Sequence, residues 1–257
     1  MPHVARLNVT PVKSTRLHHP ERIVLGPEGA EGNRTFFFVD QDGRRFSGDR
    51  KAPLMALWAD HDLDEGSIRF RLPDGTEAEG HAAACGPALT VDFYGRPVPS
   101  HIVPGPWEAA ISAYAERPVR LARPDRPGDA IDVRPVTLVS LASVDELSRQ
   151  GGRSERVDPG RFRMLIEVDG VAPHEEDTWR GRRLRIGGAV VAAGDPVPRC
   201  VITTLDPSTG VRDFPTLSVI ERYRGVSADR ELLFGIYGDV LEPGEVAVGD
   251  PVELLDR

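Results

Sequence analysis

Apolar and polar positions alternate along most of this chain in short runs broken by Gly, Pro and Asp, a pattern that predicts strands more than helices. HVARLNVTPVKS (3–14) reads as an opening strand that Pro11 ends. RTFFFVDQDGRRFSG (34–48) predicts a hairpin, with Phe36 to Val39 leading into a turn around Asp42-Gly43. SIRFRLPDGTEAEG (67–80) repeats the arrangement around Pro73-Asp74-Gly75. The period changes in GPWEAAISAYAERP (105–118), where Trp107, Ile111, Tyr114 and Ala115 fall on one helical face and Pro118 stops the helix. LARPDRPGDAIDVRP (121–135) then reads as an irregular connector, and the main boundary is expected near residue 125.

The second half opens on the apolar strand PVTLVSLAS (135–143), with Ser143 and Glu146 in capping-box spacing for a short helix through Arg149. RFRMLIEVDG (161–170) and GRRLRIGGAVVAAGD (181–195) read as strands, and TLSVIERYRG (216–225) as a helix. GEVAVGDPVELL (244–255) alternates as a final strand pair about Gly249-Asp250. The expected fold class is mostly β, of β-barrel type with a few helices, divided into residues 1–124 and 125–257.

Composition narrows the function classes. With 257 residues, 40% hydrophobic and 28% charged, the chain can bury a substantial core. A net charge of −8 argues against an extended nucleic-acid surface, which needs a basic face, but leaves room for a small basic pocket. Two cysteines, Cys85 and Cys200, make neither a disulfide scaffold nor a four-ligand zinc site. No basic-then-apolar leader opens the chain and no run approaches ~18 apolar residues, so the expectation is a soluble cytoplasmic protein, with no membrane and no nucleic-acid partner.

Candidate chemistry gathers in VPRCVITTLDPSTG (197–210). A lone cysteine is often a buried apolar residue. Here Arg199 precedes Cys200, and a neighbouring cation favours the thiolate form of a cysteine. Thr203, Thr204, Asp206, Ser208 and Thr209 offer the side-chain hydrogen bonds that fix a loop, which is how a soft ligand is presented to a metal. Lys13-Ser14, Arg34 and Arg163 each put positive charge or a hydroxyl near tight backbone, and HEEDTW (174–179) could cap a helix or hold a water with Asp177. Taken one at a time, the bland readings of these groups stay open: surface cations and an acidic loop.

Taken together and in order, the motifs resemble the MOSC family, the domain named for the C-terminal part of molybdenum-cofactor sulfurases, and within it the two-domain amidoxime-reducing proteins. The resemblance rests on PVKS (11–14), NRTFFFVDQDG (33–43) and SGDRKAPLMAL (47–57) in the first half. In the second half it rests on LVSLASVDELSR (138–149), RFR (161–163), EEDTW (175–179), RCVITTLDPSTG (199–210), LFGIY (233–237) and EPGEVAVGDPVELL (242–255). It implies a MOSC β-barrel domain preceded by a smaller N-terminal β-barrel domain, with a molybdenum cofactor (Mo-molybdopterin) in the cleft between them. Cys200 would be the metal ligand, a soft thiolate suited to such a metal. Lys13, Ser14, Arg34 and Arg163 would hold the cofactor's phosphate and pterin, Arg199 would touch it beside the metal, and Asp177 matches an acidic position of the family.

The implied activity is reduction of N-hydroxylated small molecules, with electrons from a separate donor: a reductase, a ferredoxin or a haem protein. Relatives usually read Arg-Pro-Asn where this chain has Arg163-Met164-Leu165, so a polar contact near the cofactor is expected to be missing. Two other readings accompany this one: a sulfur carrier with a persulfide on Cys200, and a cofactor-binding module without catalysis.

Overall fold

The computed structural model describes residues 1–47, 53–82 and 86–256, so Cys85 and the GDRKA segment of the 47–57 motif lie outside the described residues. A seven-stranded sheet dominates the second half. Its order is His3–Leu7, Ile166–Asp169, Val136–Ser140, Leu233–Glu242, Ala189–Pro198, Arg183–Ile186 and Val252–Leu255. Every pairing is antiparallel except that of Val136–Ser140 with Ile166–Asp169, which runs parallel. A bridge from His3 to Pro251 brings the two edges together, with Val4 N–H donating to Asp250 O at 2.9 Å, so the sheet nearly closes into a barrel. Closure removes the open edges that a flat sheet would leave.

Inward positions on alternate residues fill this barrel: Leu184, Ile186, Val191, Val136, Leu138 and Ile236 are all fully buried. Strands from the beginning of the chain complete it. His3–Leu7 joins the sheet, and Arg22–Gly26 with Gly29–Ala30 forms a three-stranded flap with Gly244–Ala247. Val4, Leu7, Ile23 and Leu25 therefore pack in the same core as residues from the second half.

Residues between about 36 and 124 form a second body. Its five-stranded sheet runs Arg45–Phe46, Phe37–Asp40, Val119–Pro124, Arg96–Ile102, Ala88–Phe93, and a three-stranded sheet joins Trp58–His61, Ser67–Arg71 and Glu77–His81. Helix α1 (Trp107–Ala115) buries Trp107, Ile111 and Ala115 against Phe38 and Phe70, and ends on Glu116 in the left-handed conformation. Helix α2 (Leu141–Gln150) fills the parallel crossover, and α3 (Thr216–Arg224) ends at Gly225. The described residues are mostly β with three α-helices, in line with the expected mostly-β class with a few helices.

The two hairpins, α1 and α3 form where the pattern puts them. Five local expectations are corrected. The opening strand ends at Leu7, before Pro11, because Asn8 turns inward to bond Met164 O and Glu167. The connector at 121–135 begins as the strand Val119–Pro124, paired on both sides. Helix α2 is capped by Ser140, whose hydroxyl accepts from Ser143 N–H, while Glu146 instead pairs with Arg149. The strand expected from 161 starts at Ile166; a 3₁₀ turn (Pro159–Phe162) precedes it and Arg163 adopts a left-handed backbone. The last two strands do not pair with each other: Gly244–Ala247 pairs with Arg22–Gly26, and Val252–Leu255 with Arg183–Ile186.

Candidate functional site

Where the two bodies meet lies a cavity of about 600 Å³. Lys13, Ser14, Arg34, Arg163, Arg199 and Cys200 all line it, although they are spread over most of the chain. Backbone bonds bring the first of them together: Lys13 N–H donates to Phe36 O at 2.8 Å, Phe36 N–H to Pro11 O at 2.9 Å, and Arg34 N–H to Thr10 O at 2.6 Å. The Arg163 guanidinium then crosses to this segment, with Nη2 donating to Thr15 O at 2.7 Å.

Among the described residues, seven non-glycine residues have positive φ, and four of them line this cavity: Ser14 (77°), Arg34 (52°), Tyr94 (56°) and Arg163 (53°). Such conformations cost free energy and persist where the surroundings enforce them, commonly at functional sites. The strain turns the Arg34 and Arg163 side chains into one space.

The electrostatics of that space are lopsided. Lys13, Arg34 and Arg45 surround a single carboxylate, Asp132, at 2.7, 3.6 and 3.2 Å. Burial, together with the neighbouring Arg34, drives the Lys13 ammonium down to about 7. Arg163 is likewise driven down to about 9 by burial and then by Arg34. Burial works to raise the Asp132 carboxyl, but the cations outweigh it and hold the group below its ordinary range. Arg163 Nη1 is buried without a hydrogen-bond partner among the described residues. Around Asp132, the four cations Lys13, Arg34, Arg45 and Arg163 outweigh one carboxylate and leave a donor unused, an arrangement able to take up an anion.

Cys200 lines the same cavity. It is exposed to the cavity and precedes the 3₁₀ turn Val201–Thr204. Thr203 donates to the Cys200 carbonyl from both N–H (3.2 Å) and Oγ1 (3.0 Å). The fully buried Arg161 grips Thr203 O at 3.2 Å and the Asp213 carboxylate bidentately at 3.1 and 3.0 Å. Asp206 Oδ1 accepts from Ser208 N–H and Thr209 N–H, so the polar run after the cysteine does fix the loop. Arg199 turns its donors into the wall: Nε and Nη2 to Phe234 O, and Nη1 to Phe162 O. Loss of hydration there lowers its guanidinium to about 10. Gly235 makes the close approach possible, since a Cβ at its φ of 70° would stand 2.6 Å from Leu138 O and 2.7 Å from Met164 Cε.

The description MOSC domain matches residues 125–253, and MOSC N-terminal beta barrel domain matches residues 1–93. The chain belongs to the MOSC family. Mitochondrial amidoxime reducing component 2 of Homo sapiens is 38% identical over 128 residues, covering 47% of this chain and 37% of that protein. Mitochondrial amidoxime-reducing component 1 of Homo sapiens is 35% identical over 152 residues, 55% of this chain and 44% of that one. Molybdenum cofactor sulfurase of Caenorhabditis elegans is 33% identical over 134 residues, 52% of this chain and 18% of that one. The MOSC chain thus aligns with less than half the length of each of these relatives.

One expected site residue of this MOSC protein is not brought to the cavity. Asp177 sits in the 3₁₀ turn Glu175–Trp179 and pairs with Arg224 at 2.5 Å. Arg224 also bonds the His174 ring and lies 5.9 Å above Phe234, which stacks on Phe162 of the cavity wall. Burial, followed by the Arg224 charge, lowers His174 to about 4. Nor does the Arg163-Met164-Leu165 variation face the cavity at its third position: Leu165 is buried in the barrel core, and Met164 lines the cavity instead.

Sequence reasoning missed Asp132, Arg45, Tyr94 and Tyr237, all of which line the cavity. Asp132 lies in a stretch read as connector, Arg45 in the second strand of a hairpin and Tyr94 in a turn, neither in a marked motif. Tyr237 ends the LFGIY motif that carries part of the family pattern, and this is the one signal that pointed to any of them.

Proposed function

We propose that this chain binds Mo-molybdopterin in the cavity and reduces N-hydroxylated small molecules, with electrons delivered by a separate donor. One observation carries the reading: an exposed cysteine and an under-neutralised cation cluster line one cavity of about 600 Å³. The names of the human relatives, amidoxime-reducing components, supply the substrate class.

The residues fit that group. Lys13, Arg34 and Arg163 offer charge-assisted donors to a phosphate, with the unpartnered Arg163 Nη1 as the clearest vacancy in the hydrogen bonding. Ser14, at positive φ beside Lys13, adds its hydroxyl. Cys200 supplies one soft thiolate, suited to a metal that takes its remaining ligands from the cofactor. When bound, the molybdenum centre supplies the redox chemistry that removes oxygen from nitrogen. Turning N–OH into N–H consumes two electrons and two protons and releases water, which is why a donor is required.

The protein's own part is positioning. Arg199 anchors the wall from which Cys200 projects, and the 3₁₀ turn behind Cys200 fixes its backbone. Asp177 acts from outside the cavity as a positioning residue: it holds Arg224 over Phe234, and Phe234 supports both Phe162 and Arg199.

The test is metal and pterin analysis of protein made in a host that synthesises molybdenum cofactor, with Cys200→Ser beside it. Near-stoichiometric molybdenum, and loss of hydroxylamine reduction in a folded Cys200→Ser variant, support the reading. Full activity in that variant would rule out the metal-ligand role. A protein that purifies without metal or pterin but with a reactive thiol would favour sulfur transfer through a Cys200 persulfide.

A further inference from the structure

The carboxylate of Asp132 sits where an anionic ligand would be expected to sit. Both of its oxygens are engaged: Oδ2 accepts from Lys13 Nζ at 2.7 Å with Arg34 Nη1 at 3.6 Å, and Oδ1 accepts from Arg45 Nη1 at 3.2 Å. Three cations converging on two oxygens is the arrangement by which proteins hold a phosphate.

The rest of the segment shows how Asp132 could give way. Arg96 pins the backbone just before it, with Nη2 donating to Asp129 O at 2.8 Å and Ile131 O at 3.0 Å, and Nη1 pairing with Asp129 at 2.8 Å. Beyond it, Val133 and Arg134 are exposed. The Asp132 side chain keeps 32% of its surface where it lines the cavity, which leaves room for another rotamer while its backbone stays in place.

We propose that Asp132 is a tethered counter-anion: its carboxylate fills the Lys13–Arg34–Arg45 clamp in the free protein, is displaced when a phosphate-type anion binds, and thereby sets the clamp's affinity. The inference rests on the cofactor-binding reading, because it names the residue that competes with the cofactor's phosphate. Its physical basis is simple. In the empty clamp Asp132 offsets part of the repulsion among cations crowded in a poorly hydrated space. An incoming dianion both repels this carboxylate and replaces it on the same donors. A neutral group at 132 removes the competitor and leaves the donors in place.

The experiment uses full-length protein from a host that makes no molybdenum cofactor, with inorganic sulfate as probe, because sulfate is a tetrahedral dianion at any working pH. Calorimetric titration is run at about pH 5, well below the value near 7 at which buried Lys13 loses its proton in the wild type, because removing Asp132 lowers that value further. Asp132→Asn is expected to bind sulfate about tenfold more tightly than wild type. Asp132→Ala serves as the second variant should the amide disturb the clamp. Asp129→Asn, the same charge change a few residues away on Arg96, should leave the affinity unchanged. Adding Lys13→Gln to Asp132→Asn should abolish the gain.

Equal or weaker binding in both Asp132 variants overturns the proposal and makes Asp132 a fixed member of the clamp. A gain that survives Lys13→Gln also overturns it, since the anion would then sit elsewhere. Failure of the cofactor reading looks different: no molybdenum or pterin in protein from a cofactor-making host, whatever sulfate does.

Discussion

Arg199 donates from both Nε and Nη2 to the one carbonyl of Phe234, at 2.8 and 2.6 Å. The residue before the exposed Cys200 is thereby tied to the strand Leu233–Glu242, while its own N–H donates to Leu232 O at 2.8 Å. A guanidinium committed to the wall gives Cys200 a rigid base, whereas Lys13, Arg34 and Arg163, which line the same cavity, are the cations proposed to bind an anion.

Arg199→Lys tests this division. A lysine cannot span Phe234 O and Phe162 O together, so at least one buried carbonyl loses its donor. The expected loss is about 2 kcal/mol in urea unfolding of cofactor-free protein. An unchanged midpoint would mean that the guanidinium does not support the wall.

Leu165 gives a second prediction. It occupies a position at which the family resemblance implies Asn, yet here it is 4% exposed and packs in the barrel core. Its N–H donates to Thr137 Oγ1 at 2.8 Å and its carbonyl accepts from Asn8 N–H at 2.9 Å, so the backbone is fixed with the side chain pointing inward. Leu165→Asn should therefore destabilise the fold by about 3 kcal/mol, the cost of burying an amide where a leucine packed. Thermal unfolding of the variant checks it, and a variant as stable as wild type with raised pterin content would show that the side chain reaches the cavity after all.

Much of this is legible in the sequence, and the boundary of legibility has a physical cause. The hairpins around Asp42-Gly43 and Pro73-Asp74-Gly75 and the helix from Trp107 depend on neighbours a few residues away, which periodicity and turn chemistry report. The pairing of Gly244–Ala247 with Arg22–Gly26 depends on partners more than two hundred residues apart, and alternation says only that each is a strand. The site divides the same way. Lys13, Arg34, Arg163 and Cys200 sit in motifs, and the cavity gathers them. Asp132 has meaning only through Lys13 and Arg45, 119 and 87 residues away, and nothing in the connector around it signals that. Left-handed backbone at Arg163 is equally invisible, because an arginine in an apparent strand carries no mark of positive φ.

Lys13 predicts a pH dependence of stability. In the unfolded chain its ammonium keeps its proton up to about 10.5, whereas burial and Arg34 lower that to about 7 in the fold. Between these values the unfolded chain binds more protons, so this group makes stability rise as pH increases from about 7 toward 10.5. Lys13→Met should remove that rise, and should be more stable than wild type near pH 7, with the gain fading at high pH. Asp132 keeps Arg45 at 3.2 Å and Arg34 at 3.6 Å in the variant, so it is not left unpaired. Urea unfolding of cofactor-free protein at several pH values reads the slope directly. Parallel curves for the two proteins would mean that Lys13 titrates alike in both states.

Arg34 and Arg163 should not be equivalent in holding the cofactor. Arg34 already has the Asp132 carboxylate at 3.6 Å and the Arg163 carbonyl at 3.4 Å, while Arg163 keeps a buried Nη1 with no partner. A donor with nothing to lose on binding contributes its full charge-assisted bond, so losing Arg163 should cost about 1.5–3 kcal/mol of cofactor affinity and losing Arg34 less. Molybdenum and pterin content after dialysis, compared for Arg34→Ala and Arg163→Ala, gives the order. Arg163→Ala also loses the Nη2 bond to Thr15 O at 2.7 Å while keeping the cost of a Cβ at φ 53°, and Arg163→Gly separates this structural loss from the binding one. Glycine should relieve the cost of the positive φ and restore unfolding stability toward wild type while the cofactor content stays low. If glycine restores the cofactor as well, the guanidinium does not bind it, and the lost occupancy in Arg163→Ala came from the weakened turn alone.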